Sequence, residues 1–200
     1  MSLEKIRAGN KTFSQKFSEE KEFYLDLVEN GQHPKVLWIG CSDSRVVPEF
    51  VVNAKAGELF VMRNIANIIP PKDADISCTG SVLEYAVQHL KVEHIIVCGH
   101  TNCGGITACV QGVEEGNHIH DWLQFAEPAK KVAKNKNGED LILDTIKENV
   151  LQQKKNLLSF DYVKEIVENG NLEIHCWLYD LKDGKISSYN RLENVWLDLD

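Results

Sequence analysis

The chain has 200 residues, 43% of them hydrophobic, and its 30 acidic against 22 basic side chains give a net charge of −8. This fits one soluble globular domain with a sizeable core, and it argues against sequence-independent binding to nucleic acid or to an anionic membrane. No apolar run approaches the roughly 18 to 20 residues of a bilayer span, and the start, MSLEKIRAGNKTF, lacks the apolar centre of a secretory signal.

Residues 1–30 are polar and helix-prone, and they read as a helical arm packing on something other than its own core. KVLWIG (35–40) and ELFVMRN (58–64) are short apolar runs expected as buried strands. SCTGSVLEYAVQHL (77–90) carries Cys78, Val82, Leu83, Ala86, Val87 and Leu90 at helical spacing, which predicts a helix on the sheet. HIIVCGH (94–100) is a third strand, and CGGITACVQGV (103–113) opens a helix despite its glycines. Further helices are expected over 121–134 and 140–158, the second with Ile142, Ile146, Val150 and Leu157 on one face, and 133–140 reads as a polar loop. LEIHCWLYDL (172–181) is a fourth strand, and KISSYN (185–190) a fifth that pairs with it across a Lys-Asp-Gly turn. The sum is a single α/β domain over 1–200: four parallel strands plus an antiparallel edge strand, flanked by helices.

The six cysteines (Cys41, Cys78, Cys98, Cys103, Cys109 and Cys176) follow no small-scaffold disulfide pattern, so a reducing cytoplasm suits them. Cys78, Cys98 and Cys109 read as small buried hydrophobes. Two of the strands end alike, in an apolar run, a glycine and a metal-capable side chain: Cys41 after the first, His100 and then Cys103 after the other. Sites in open parallel sheets gather beyond the carboxyl ends of strands. If these strands are neighbours, Cys41, His100 and Cys103 converge as two thiolates and an imidazole, a catalytic zinc set with a fourth position open. Taken singly, a His-x-x-Cys pair or a cysteine at a strand end more often packs than binds. The adjoining Asp43-Ser44-Arg45 sets an acid and a basic partner beside the metal.

CSDSRV, GELFVMRNIAN, SVLEYAV and IIVCGHTNCGG, continued by Trp122-Leu123, ENVLQQKKNL and IHCWLYD, resemble in order and spacing the β-class carbonic anhydrases over about residues 30 to 185. The resemblance implies one zinc ion per chain on Cys41, His100 and Cys103, and an Asp43–Arg45 dyad controlling the nucleophile. It implies reversible hydration of carbon dioxide to bicarbonate by hydroxide on zinc. It puts Gln32, Phe60, Ile65, Tyr85 and the Gly104 N–H in the substrate pocket, part of which a neighbouring subunit supplies. A homodimer or a dimer-of-dimers tetramer follows. Some bacterial members also bind bicarbonate at a non-catalytic Trp-Arg-Tyr site, matched here by Trp38, Arg63 and Tyr179. There the dyad opens and the aspartate moves onto zinc, which implies a switch driven by pH and bicarbonate.

Cys176 stands where many members of that family carry glycine and reads as a packing substitution. His118 and His120 read as residues of a loop or strand face rather than a metal pair, and neither His89 nor His94 can be assigned as a proton shuttle. Two other readings remain: a carbonyl sulfide or carbon disulfide hydrolase on the same fold, and a non-catalytic protein that keeps zinc for structure.

Overall fold

The computed structural model describes residues 1–74, 77–136 and 138–199, in two compact units, Met1–His33 and Pro34–Asp200. The first unit is a helix pair, α1 (Leu3–Glu19) and α2 (Lys21–Glu29). The Ser2 hydroxyl caps α1 by accepting the Lys5 N–H at 3.2 Å. Phe13, Phe17, Phe23 and Tyr24 cluster between the helices, with Phe17 stacked on Tyr24 at 4.3 Å. Neither helix buries a residue, and Leu3, Ile6, Leu25 and Val28 stay exposed.

The second unit is built on a six-stranded sheet of order β2-β1-β3-β4-β5-β6. Its strands are β1 (Val36–Cys41), β2 (Leu59–Asn64), β3 (His94–His100), β4 (Glu173–Tyr179), β5 (Ile186–Asn190) and β6 (Val195–Asp198). The first four are parallel, and β5 and β6 are antiparallel additions. The antiparallel edge therefore holds one more strand than the sequence suggested, because β6 is short and mostly exposed and carries no buried apolar pattern. From β1 the chain steps to β2 on one side and then crosses to β3 on the other. The carboxyl end of β1 is thus a topological switch point, the place where such sheets carry their sites.

The helices are α3 (Pro48–Val51), α4 (Ser77–Glu84), α5 (Gly104–Gln111), α6 (His118–Leu123), α7 (Glu127–Lys136), α8 (Leu141–Leu157) and α9 (Asp161–Glu168). On one face of the sheet Leu37, Ile39, Met62, Ile95, Val97, Ile174 and Cys176 pack against Leu83, Val150, Leu157 and Val163 of the helices. On the other, Trp38, Ile96 and Cys98 form a smaller cluster with Trp177 and Tyr179. A methyl group on Gly40 would come within 2.7 Å of the Trp38 indole nitrogen, so this strand position accepts only glycine without repacking.

Several expectations change in detail. The helix expected over 77–90 relaxes after Glu84 into a π-helical turn, Tyr85–His89. Its buried stripe is Thr79, Leu83, Ala86 and Val87, which leaves Cys78 exposed rather than buried. The helix expected from 121 is two helices, because Pro128 lacks the N–H that would continue the first turn into the next. Residues 133–136 finish α7, and Asn137 of the expected loop lies outside the described residues. His118 and His120 sit on α6, not on a loop or strand face. The short α3 and the amphipathic α9 had no counterpart in the sequence reading. Among the described residues, no helix is long and apolar enough to cross a membrane.

Candidate metal centre

Cys41 is the last residue of β1 and His100 the last of β3, and Cys103 is the N-cap of α5. One ligand atom from each lies within 4.8 Å of the other two, and all three side chains are buried. The His100 Nδ1 faces the Thr101 carbonyl at 2.9 Å, so Nδ1 carries the proton and Nε2 presents its lone pair. That Nε2 is buried with no hydrogen-bond partner among the described residues. A buried acceptor left open beside two thiols fits a cation.

The Cys103 thiol donates to Cys41 and holds it well below an ordinary thiol, helped by His100 and the N–H groups of Asp43 and Ala66 and opposed by burial. The same contact, with burial, pushes the Cys103 thiol up. A divalent cation would replace that shared proton and leave both sulfurs as thiolates.

Asp43 lies at the mouth of this set. Its Oδ1 accepts from the Arg45 backbone N–H and from Nε, both at 2.9 Å, and its Oδ2 accepts from the Arg45 terminal nitrogen at 2.7 Å. Arg45 holds the carboxyl far below the usual carboxylate range. The Oδ2 stands 3.9 Å from the open Nε2 of His100. Arg45 also donates to the Asn102 carbonyl at 3.2 Å, tying the loop after β1 to the loop after β3.

The carbonic anhydrase family model matches residues 36–186. A carbonic anhydrase of Synechocystis sp. is 36% identical over 195 residues, 94% of this chain and 69% of that relative. The solved β-carbonic anhydrase CcaA superposes with a TM-score of 0.93 at 32% identity, covering 99% of this chain and 92% of that one. The chain belongs to the β-carbonic anhydrase family. Two tetrameric β-carbonic anhydrases of Sordaria macrospora are described in another similar structure, with a TM-score of 0.82 at 32% identity, covering 92% of this chain and 93% of that one.

In this β-carbonic anhydrase the residues expected around the substrate fall into separate groups. Ile65 and Gly104 adjoin the metal centre: a methyl group on Gly105 would meet Ile65 at 2.8 Å, while one on Gly104 would meet open space. Phe60 and Tyr85 pair with each other, ring centroids 5.8 Å apart. Phe60 aligns with Leu37 and Asn64 with Cys41, so that pair sits about 13 Å down the strands from the ligands. Gln32 belongs to the helical unit Met1–His33.

Trp38, Arg63 and Tyr179 share one face of the sheet. The Trp38 indole N–H is buried without a partner among the described residues. The Arg63 guanidinium donates to the Cys41 carbonyl at 2.8 Å and to the Asp43 carbonyl at 2.6 Å, bracing the backbone that carries both residues.

Sequence reasoning missed the support of the loop after β2. Ala66 (φ 61°) and Asn67 (φ 48°) are left-handed without being glycine, a conformation the surroundings must impose. Three buried amides of α8 impose it. Asn149 donates to the Ala66 carbonyl at 2.9 Å, Gln153 accepts the Ile69 N–H at 2.8 Å, and Asn156 donates to the Ile69 carbonyl at 2.7 Å. Gln153 links to both neighbours, at 2.8 and 3.1 Å. The available signal was amide residues at helical spacing beside an apolar stripe.

Proposed function

We propose that this enzyme reversibly hydrates carbon dioxide to bicarbonate and a proton, with one zinc ion per chain on Cys41, His100 and Cys103. The observation that carries the reading is the three-donor grip of Arg45 on Asp43, beside the open His100 Nε2. Zinc, when bound, supplies a Lewis acid that brings the pKa of a water ligand to about 7. Asp43, kept ionised, is an acceptor only. Its remaining lone pair takes one hydrogen bond from the nucleophile and fixes its orientation toward carbon. Arg45 keeps Asp43 out of the ligand set, which Oδ2 could join after a small movement. The Gly104 N–H, at the start of α5, offers a donor to a substrate oxygen.

Phe60 and Tyr85, distant from their own metal centre, complete the pocket of a second copy. The exposed apolar side chains of the arm cover that partner, giving a homodimer or a dimer-of-dimers tetramer, the state described for the Sordaria relatives. Bicarbonate bound between Trp38, Arg63 and Tyr179 would draw Arg63 from the Cys41 and Asp43 carbonyls, freeing that loop and letting Asp43 turn onto the metal. Free thiols throughout suit a cytoplasmic location.

The test is stopped-flow turnover of carbon dioxide and, in parallel, of carbonyl sulfide by the zinc-loaded protein. Carbon dioxide hydration that disappears in Asp43→Ala with zinc retained supports the reading. Carbonyl sulfide turnover alone would assign a hydrolase, and no turnover at full zinc loading would leave the metal a structural role.

A further inference from the structure

We propose that His94, Glu173 and His175 form a second metal site, for a first-row divalent transition ion, at the end of the sheet remote from Cys41. His94 opens β3 and Glu173 opens β4, and the two are register partners; His175 lies two residues on, opposite Ile96. Alternation along parallel strands puts all three side chains on one face. One ligand atom from each lies within 4.8 Å of the other two.

The His175 Nε2 faces the His94 Nδ1 at 3.1 Å, and the Glu173 Oε2 lies 3.7 Å from that Nε2. Metal–nitrogen bonds of about 2.0 to 2.1 Å at tetrahedral or octahedral angles separate two ligand nitrogens by about 2.8 to 3.4 Å. The imidazoles therefore already stand at ligand spacing. Only one proton fits between two such nitrogens, and a cation can take its place. Burial lowers the pKa of His175, with Glu173 opposing and His94 and Lys154 adding. The Lys154 ammonium is itself committed to the Ile174 carbonyl at 3.0 Å.

The scaffold is rigid. The Glu173 N–H donates to the Glu93 carbonyl and the His94 N–H to the Lys35 carbonyl, both at 3.0 Å. Two imidazoles and a carboxylate suit nickel, zinc or cobalt, with water filling the exposed positions. Six residue steps along β3 separate His94 from His100, about 20 Å, so this ion takes no part in the chemistry at Cys41. It would instead clip β3 to β4 where they begin.

Isothermal titration of the zinc-loaded enzyme with nickel chloride tests this. The expected result is one further equivalent per chain, with a rise in melting temperature and quenching of Trp177, whose ring lies 6.3 Å from His175. His94→Gln and His175→Gln should each weaken that equivalent by more than about tenfold, the scale of even outer-shell losses, while keeping the first zinc and carbon dioxide hydration. Glu173→Gln, at an exposed position that cannot disturb the core, should weaken it too. Absence of the extra equivalent, or its survival in both histidine variants, would overturn the site.

Discussion

Arg45 reaches both oxygens of Asp43 with its guanidinium and adds its own backbone N–H, so the carboxylate two residues away is fixed at the edge of the Cys41–His100–Cys103 set. The same guanidinium touches Asn102, between His100 and Cys103, and so one side chain aligns both ligand-bearing loops. If Asp43 orients the nucleophile, Asp43→Ala should lower kcat/KM for carbon dioxide by about 10² to 10⁴ with zinc content unchanged. Arg45→Lys should not restore the rate of Arg45→Ala, because an ammonium cannot span two oxygens. Stopped-flow rates beside metal analysis check both.

The amide ladder of α8 should matter to stability and to the site together. Gln153→Ala leaves the Ile69 N–H and the Asn149 side-chain oxygen without their partner in the core. Each such group costs about 1 to 3 kcal/mol. Urea melts should show the loss, and a drop in activity should accompany it, because the ladder holds the loop carrying Ile65 and Ala66.

Gly40→Ala forces a methyl group against the fully buried Trp38 indole. Such overpacking costs about 1 to 3 kcal/mol. Thermal unfolding of the variant against wild type measures it. A neutral result would mean that β1 shifts freely.

Thiol chemistry should separate the cysteines. Only Cys78 is exposed, so a disulfide reagent at mildly alkaline pH should modify one thiol of the zinc-loaded protein quickly. Burial pushes Cys109 and Cys176 up to about 11 and Cys98 higher still, so their thiolate fractions rise only at strongly alkaline pH. A chelator should expose Cys41 and Cys103 next. Mass spectrometry of the labelled chain reads the order.

What the sequence determined by itself is what depends on neighbours along the chain. Apolar runs ending at Gly40 and Gly99 marked two strands, and the residues just beyond them, Cys41 and His100, carried their chemistry in their side chains. The reach of Arg45 back to Asp43 is likewise local, spanning two residues. Tertiary structure decided everything that depends on which strands pair and in what register. The order β2-β1-β3 brought Cys41 beside His100, and the alignment of Phe60 with Leu37 carried it and Tyr85 away from Ile65 and Gly104. Asn149, Gln153 and Asn156 became a buried ladder only because α8 crosses the loop at Ala66 and Ile69. His94 met Glu173 and His175 only through the pairing of β3 with β4. Pairing and register are set by hydrogen bonds and packing between segments far apart in the chain, and no local pattern of residue types encodes them.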